Sequence, residues 1–346
     1  MNAKNRHMTL RRYPEGMPQE DDFALLEAPM PEVMDGAVLG RAMYLTVDPY
    51  IRARMSARFA EGYADRTALG EPIGGEAVYE VVQSRHRGFK EGDLFAAFGG
   101  WQEFCALPGE GLRRVDPALG APAHHLGALG MPGLTAYAGL TRLADAKPGD
   151  AIFVSAALGG VGSVAGAIGR DMGCRMIGVS SSAEKCRYAV DSLGYHVCID
   201  RTAPDFATQV SAACPHKIDV NFENVGGDIF WLALSHMKAQ GRVVVCGLVS
   251  GYNDDAPPPG PDLTGVLLRE IALKRLVVKG LMVADFWSLY PEFQAKVGAL
   301  IRSGAFAPKV HVVEGIENAG RAMIDMLSGR SFGKTVVRVG RDPTLG

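Results

Sequence analysis

The stretch Ala151-Ile152-Phe153-Val154-Ser155-Ala156-Ala157-Leu158-Gly159-Gly160-Val161-Gly162-Ser163 decides the fold of this 346-residue chain. Ala151–Ser155 is a short apolar run of the kind a fully buried strand needs. It runs straight into a glycine-rich turn and then into a helical pattern that ends near Met172. Aligned to G-x-G-x-x-G, the first position is Ala157, the second Gly159 and the third Gly162, with Gly160 and Val161 between the last two. The second position must lack a side chain where backbone approaches a pyrophosphate, and the third must be small where helix meets strand. Free N–H groups and a partial positive charge at the helix start then favour phosphate. A second apolar strand, Arg175–Ser180, follows, so the unit has the ~30-residue length of one βαβ crossover. A glycine-rich turn alone is weak evidence, whereas this setting makes it a dinucleotide site.

Working outward, apolar runs at Ile218–Phe222, Arg242–Val249 and Leu276–Met282 alternate with helical patterns at Ala183–Gly194, Ile229–Lys238 and Trp287–Ser303. That alternation predicts an α/β fold with a doubly wound parallel sheet. Upstream, Gly133–Arg142 reads as helix, and Lys147-Pro148-Gly149-Asp150 as a turn. Before Ala128 the character differs. Short runs at Ala37–Thr46, Ala77–Val82 and Leu94–Phe98, punctuated by Gly-Asp, Pro-Gly and Gly-Gly, predict a β-rich unit. The tail returns to strand-like character at Pro308–Val313 and Lys334–Val339, around a helix near Glu317–Ser328, and is expected to rejoin that first unit. Ala256–Pro261 is proline-rich and predicts an extended loop.

The end of the second strand selects the cofactor. A site for NAD places an acid there for the ribose 2′-hydroxyl. Here stand Ser180, Ser181 and Ser182, with Lys185 on the next turn and Arg201 after the following strand. Hydroxyls and cations suit a 2′-phosphate, so the expected cofactor is NADP(H). Glu184 sits at a helix start, where the dipole alone accounts for an acid.

Composition narrows the rest. Lys+Arg at 36 against Asp+Glu at 38 leaves a charge of −2, which provides no basic field for nucleic acid or an anionic membrane. No apolar run reaches the ~20 residues of a transmembrane helix, and Met1–Arg12 holds no signal-peptide core, so the expectation is a cytoplasmic chain. Glycine is abundant, at 43 residues. The six cysteines, Cys105, Cys174, Cys186, Cys198, Cys214 and Cys246, are scattered singly, His124 and His125 are adjacent, and no zinc spacing occurs, so no metal is expected.

With these pieces in place the sequence resembles the zinc-free medium-chain dehydrogenase/reductases, in the branch of prostaglandin reductases, alkenal/one reductases and bacterial curcumin reductases. The resemblance runs over nearly the whole chain. It is carried by Arg12–Pro18 (RYPEGMP), Tyr44–Arg52 (YLTVDPYIR), Gly130–Tyr137 (GMPGLTAY), the Ala157/Gly159/Gly162 turn, Phe222–Gly227 (FENVGG), Cys246-Gly247 through Tyr252-Asn253, and Gly333-Lys334. The resemblance implies a GroES-like β-rich domain (1–127 and 309–346) around an inserted Rossmann domain (128–308), and a homodimer. Zinc-containing relatives carry G-H-E where this chain has Gly74-Gly75-Glu76, which disfavours metal-polarised alcohol chemistry.

The family reaction is reduction of a C=C bond conjugated to a carbonyl: hydride adds to the β-carbon, and the enolate is protonated at the α-carbon. A phenol can donate to the developing oxyanion without bringing a full charge into an apolar pocket. The matching tyrosines are Tyr252, expected to serve the carbonyl or a proton relay, with Tyr50 and Tyr63 shaping the pocket and donating a second bond. Carried-over cofactor positions are Lys185 at the 2′-phosphate, Asn224 near the nicotinamide half, Pro132 and Thr135 beside the nicotinamide or its ribose, and backbone at Gly247 and Met282. Two residues depart from the pattern: Arg201 stands where Tyr is usual, and Ser331 where Asn is usual. Competing readings are a quinone or other carbonyl oxidoreductase on the same scaffold, and a non-catalytic NADP-binding module.

Overall fold

A computed structural model of the chain describes residues 4–56, 65–254 and 261–345. They fall into two compact units, one built from residues up to Leu126 together with Val310 onward, the other from Gly127–Lys309. Among the described residues no helix is long and apolar enough to cross a membrane.

The second unit is organised by the strand Ala151–Val154, whose four residues are all buried. It lies inside a six-stranded parallel sheet. On one side Ile152 pairs with Met176 of Arg175–Ser180, and on the other Val220 of Ile218–Glu223 pairs with Ile152. Val197–Asp200 completes the first side, and Met237–Val245 then Val277–Gly280 complete the second. The chain thus builds outward from its first strand, returns, and builds outward the other way, which opens a crevice at the carboxyl ends where the direction reverses. Buried apolar residues such as Phe153, Ile177, Val179, Val220 and Val243 form the sheet's faces, as expected for strands covered on both sides.

Helix Gly160–Asp171 approaches this sheet closely because glycines line its inner face. A Cβ at Gly162 would lie 2.3 Å from the Ala156 carbonyl oxygen, and one at Gly166 would lie 2.3 Å from the Leu193 carbonyl oxygen and 2.4 Å from the Tyr195 ring. The buried Tyr195 hydroxyl donates to the Gly162 carbonyl at 2.7 Å, tying the start of the helix to the following strand layer.

Boundaries differ from the sequence pattern where backbone bonds redirect the chain. The run expected as Arg242–Val249 forms a strand over Met237–Val245. It stops because the Cys246 and Gly247 N–H groups both turn to the Glu223 carbonyl. The helix expected over Gly133–Arg142 is α-helical from Met131 to Ala138 and widens to a π-turn over Gly139–Leu143. Thr264–Lys274 is an additional helix: Leu267 and Ile271 pack half-buried on the core while Val266, Leu268 and Leu273 are exposed, so its apolar residues form no single stripe.

The first unit carries a seven-stranded sheet. Ala37–Thr46 pairs with Glu76–Ser84 and with Phe104–Pro108. Its far end receives the tail: Val336 opposes Thr46, and Val337 opposes Leu45. Val310–Glu314 lies parallel to Lys334–Arg338 beyond it, with helix Ala319–Leu327 between them in the chain. The core gathers Val38, Leu45, Ile51, Tyr79, Phe95, Trp101 and Val337. Lys4–Leu10 and Phe23–Pro29 form a separate antiparallel pair. The sequence pattern did not single out Lys4–Leu10, because its inward positions include polar Asn5, whose amide donates to Gln102 and to the Phe104 carbonyl.

His125 is almost fully buried, with one ring nitrogen 3.3 Å from the Asp116 carbonyl oxygen. Burial pushes its pKa down to about 4 from 6.5. Between those values the unfolded chain holds a proton that the folded chain lacks, so stability falls as pH drops through this window, by roughly 3 kcal/mol at most. Urea unfolding at pH 7 and pH 4.5 should therefore show a smaller acid loss for His125→Gln than for the unaltered protein.

Candidate functional site

The carboxyl ends of three adjacent strands in the second unit meet at Glu223, whose carboxylate bonds the end of the first and whose backbone carbonyl accepts from Cys246 and Gly247 beyond the third. Glu223, fully buried, accepts from the Ser155 hydroxyl at 2.7 Å, from the Val225 N–H at 2.7 Å and from the Gly226 N–H at 2.9 Å through Oε1. Asn221 donates to Oε2 at 3.3 Å. A carboxylate this deep survives because it is surrounded by donors. Ser155 in turn accepts from the Asn224 N–H at 2.8 Å, and the Asn224 amide donates to the Ser155 carbonyl at 2.8 Å. The following turn is drawn in as well: Ser250 donates to the Val225 carbonyl through both its N–H and its hydroxyl. Gly226 at φ 81 and Gly227 at φ 58 supply the left-handed backbone that lets the chain enter helix Gly227–Ser235 here.

Several residues expected from sequence sit in this network. Asn224 has its side chain fixed against the first strand. Gly247 lies against Asn224, since a Cβ there would stand 3.2 Å from the Asn224 carbonyl and 3.5 Å from the Tyr252 hydroxyl oxygen. Tyr252 follows the short Val249–Gly251 turn and is half-buried. Burial raises its pKa, against the opposing pull of the Leu248 backbone. The same burial, with the Glu223 charge added, pushes the Cys246 thiol up to about 12.

The glycine-rich turn lies on the neighbouring strand. Ala156 adopts φ 53, Ala157 is fully buried, and Gly159 is the extended residue that starts the helix containing Gly160, Val161 and Gly162. Gly159 has only the Ala156 carbonyl at 3.2 Å near its Cβ position, so protein packing demands little there. A glycine in that position leaves room for a ligand.

At the end of the second strand, Ser180 is buried and its carbonyl accepts from the Arg201 N–H at 2.9 Å. Ser182 caps helix Ala183–Ser192 by accepting from the Lys185 N–H. The Lys185 ammonium, nearly buried, donates to the Ser181 hydroxyl at 2.9 Å. Desolvation and the Arg201 charge both pull its pKa down. Ser181, Lys185 and Arg201 thus form one cluster that concentrates positive charge, and an anion there would relieve the repulsion.

Thr135 and Pro132 lie in helix Met131–Ala138, both buried, and the Thr135 hydroxyl donates to the Met131 carbonyl at 2.8 Å. That helix packs on Gly160–Asp171 and on the Val283–Leu289 turn, which Met282 precedes. Met282 is exposed.

Tyr50, Tyr63 and Ser331 belong to the first unit's chain segments, and Tyr63 lies outside the described residues. Tyr50 opens helix Pro49–Arg54 and packs on the core. The start of that helix is anchored by the buried Lys334, which meets Asp48 at 3.0 Å and donates to the Thr46 hydroxyl and the Val47 carbonyl. Arg52, also buried, donates to the Gly16 carbonyl at 2.8 Å, so two separated sequence strings meet. Ser331 precedes the Lys334–Arg338 strand, half-buried. At Gly75 a Cβ would sit 3.2 Å from the Trp101 ring nitrogen and 3.3 Å from Ile51, so a side chain there would crowd its neighbours. Glu76 instead pairs with Arg113 at 2.5 Å. Among the described residues no group of three or more His, Cys, Asp and Glu side chains could hold a metal.

Sequence reasoning assigned no role to Glu223, Ser155, Lys334 or Arg52. The available signal was a glutamate closing the strand Ile218–Glu223 and a lysine opening Lys334–Arg338, since a buried charge must have partners.

Comparison with known proteins adds the following. Residues 6–115 match the model described as the N-terminal domain of oxidoreductase, and residues 160–300 the model described as zinc-binding dehydrogenase. An NADPH-dependent curcumin reductase of Escherichia coli (strain K12) is 39% identical over 340 residues, 98% of each chain. A 2-alkenal reductase (NADP(+)-dependent) of Nicotiana tabacum is 33% identical over 98% of this chain and 99% of that protein. The crystal structure of CurA in complex with NADPH from Vibrio vulnificus superposes with a TM-score of 0.92 at 38% identity, covering 97% of this chain and 99% of that one.

Removing the Glu223 carboxylate strands two backbone N–H groups in the interior. Glu223→Ala should cost about 2–4 kcal/mol of unfolding free energy, measured by urea titration; a loss below ~0.5 kcal/mol would show that the network is not structural.

Proposed function

The chain belongs to the medium-chain dehydrogenase/reductases, in the branch of curcumin, alkenal and prostaglandin reductases, and on that premise we propose that it uses NADPH to reduce the C=C bond of α,β-unsaturated ketones or aldehydes. The observation that carries the cofactor choice is the Ser181–Lys185–Arg201 cluster at the end of the second strand. Two electrostatically coupled cations beside hydroxyls suit the dianionic 2′-phosphate and have no complement in a free ribose hydroxyl.

The residues fit that cofactor. The turn Ala157–Gly162 would take the pyrophosphate, with Gly159 leaving backbone approach open and helix Gly160–Asp171 presenting its N–H groups. Ser180, Ser181, Lys185 and Arg201 would hold the 2′-phosphate end. Asn224, Gly247, Pro132, Thr135 and Met282 would line the nicotinamide half, with Ser331 a further contact. When bound, NADPH supplies the hydride that adds to the β-carbon of the enone.

Tyr252 then serves the substrate carbonyl. Its raised pKa keeps the phenol protonated at neutral pH, so it donates a hydrogen bond to the oxygen as enolate charge develops. The Glu223 network fixes the turn that carries it. Tyr50, positioned by the Lys334–Asp48 anchor of its helix, is assigned the second donor and pocket wall, and Tyr63 is assigned with it. Protonation at the α-carbon completes the reaction. An NADPH-consuming reductase with six single cysteines suits the reducing cytoplasm.

A homodimer completes the reading. Val277–Gly280 ends the six-stranded sheet, and all four residues are exposed. Beside it in the chain, helix Thr264–Lys274 exposes Val266, Leu268 and Leu273. An open strand edge next to apolar side chains is normally covered, and a second copy would do so. Light scattering should give twice the 36.9 kDa chain mass, and Val278→Asp should shift it to the monomer; a monomeric unaltered protein would sink this part.

Turnover of a panel of enones, alkenals and quinones with NADPH and with NADH tests the main proposal. Lys185→Ala and Arg201→Ala should each raise the KM for NADPH about tenfold and leave that for NADH unchanged. Tyr252→Phe should keep NADPH affinity and lower kcat on enones by ~10²-fold. Turnover of quinones with no enone activity would overturn it.

A further inference from the structure

Two cysteines sit within the elements that carry the cation cluster. Cys186 follows Lys185 in the first turn of helix Ala183–Ser192, and Cys198 lies in the strand Val197–Asp200, which leads directly into Arg201. Their sulfur atoms are 3.2 Å apart, with the Cys198 thiol donating to the Cys186 sulfur. We propose that this pair is a reversible disulfide site through which a hydroperoxide oxidant lowers the affinity for a 2′-phosphorylated cofactor. The choice of ligand rests on the function proposed above; the disulfide itself does not.

The geometry makes the pair selective. A disulfide requires sulfur atoms ~2.05 Å apart, so the two need approach by only about 1 Å from their observed 3.2 Å. Cys186 is buried and Cys198 partly exposed, so an oxidant reaches the pair from the Cys198 side. The environment points to Cys186 as the nucleophile. The hydrogen bond from Cys198 lowers its pKa, helped by the Ser180 backbone and by Lys185, and outweighs the opposing effects of its own burial and of Asp200. Cys105, Cys174 and Cys214 are buried, with pKa values pushed up to about 11 by desolvation, and are poor nucleophiles. The thiolate of Cys186 attacks the O–O bond of the peroxide, giving a sulfenic acid and releasing hydroxide. The Cys198 sulfur then attacks the sulfenic sulfur; the S–S bond forms, the S–O bond breaks, and the hydroxyl leaves as water with the Cys198 proton. The thiols surrender two electrons and the peroxide takes two.

Closing the bridge draws the first turn of the helix toward the strand. Lys185, whose ammonium is held by Ser181, and Arg201, whose N–H is held by the Ser180 carbonyl, are then displaced relative to one another. Two cations that must both reach one phosphate lose their common geometry, whereas a cofactor without that phosphate is unaffected.

The test uses the full chain free of nucleotide. After hydrogen peroxide treatment and alkylation, peptide mass spectrometry should find Cys186 joined to Cys198, reversed by dithiothreitol and absent in Cys198→Ser. Nicotinamide fluorescence titration should show NADPH binding about tenfold weaker in the oxidised protein, the equivalent of one lost charge-assisted hydrogen bond, with NADH binding unchanged and Cys198→Ser insensitive. Cys186 and Cys198 remaining as thiols, or pairing with other cysteines, would overturn the proposal, as would a bridged protein with undiminished NADPH affinity. A reduced protein with no preference for NADPH over NADH would instead overturn the cofactor reading, and with it the affinity half of this proposal, while the bridge mapping still decides the thiol half.

Discussion

The Glu223 carboxylate is the constraint on which the candidate site depends. It lies in the interior at the end of a central strand, and its charge is tolerated because hydroxyl and backbone donors from two adjoining strand ends converge on it. Those same bonds set the direction in which the chain leaves the sheet. Asn224, Gly247 and Tyr252 come from two different turns, yet each occupies its place because the turn is bonded back to Glu223 or to a group that Glu223 holds. A carboxylate near the turns of the candidate site invites a reading as a general base. Here its lone pairs are already engaged, so its role is to position others.

Charge follows a similar pattern of local use. The chain is nearly neutral overall, and its functionally placed charges are few and crowded. Lys185 is close enough to Arg201 to feel its charge in one unit, and Lys334 is buried against Asp48 in the other. The two lysines do different physical work. Lys334 has an acid and three oxygen acceptors around it, which makes it a structural anchor for the helix that begins at Pro49. Lys185 donates to the Ser181 hydroxyl and feels both the Arg201 cation and the adjacent Glu184 carboxylate. Neither distinction is visible in the composition.

The glycine abundance separates into physical classes on the same basis. At Gly162 and Gly166 the backbone of another segment occupies the Cβ position, so helix and sheet pack at a distance no side chain allows. At Gly226 and Gly227 the need is a left-handed backbone between strand and helix. At Gly159 the protein itself demands little, and the missing side chain is room for a ligand. One residue type thus serves packing, turning and recognition within a single sheet.

The parallel sheet was legible because its signals are local: an apolar run such as Ala151–Val154 excludes water by itself, and a helix must begin where glycine and serine follow it. The tail strand and the β-rich unit were legible for the same reason. The pair Lys4–Leu10 and Phe23–Pro29 was not, since its inward positions carry polar residues whose partners lie some hundred positions away. Helix Thr264–Lys274 was missed because its apolar residues surround the axis, Leu267 and Ile271 packing on the core while Val266, Leu268 and Leu273 are exposed, so it shows no stripe. The glycine turn, Ser180, Ser181, Lys185 and Arg201 could be picked from motif spacing, and Asn224, Pro132, Thr135, Gly247, Met282 and Ser331 from the family resemblance, whereas no role could be read for Ser155, Glu223, Arg52 or Lys334. A motif records which atoms stand close along the chain, and its reading needs only local geometry. A buried charge is stable only through donors or acceptors brought from distant segments, and that meeting exists only once the chain has folded.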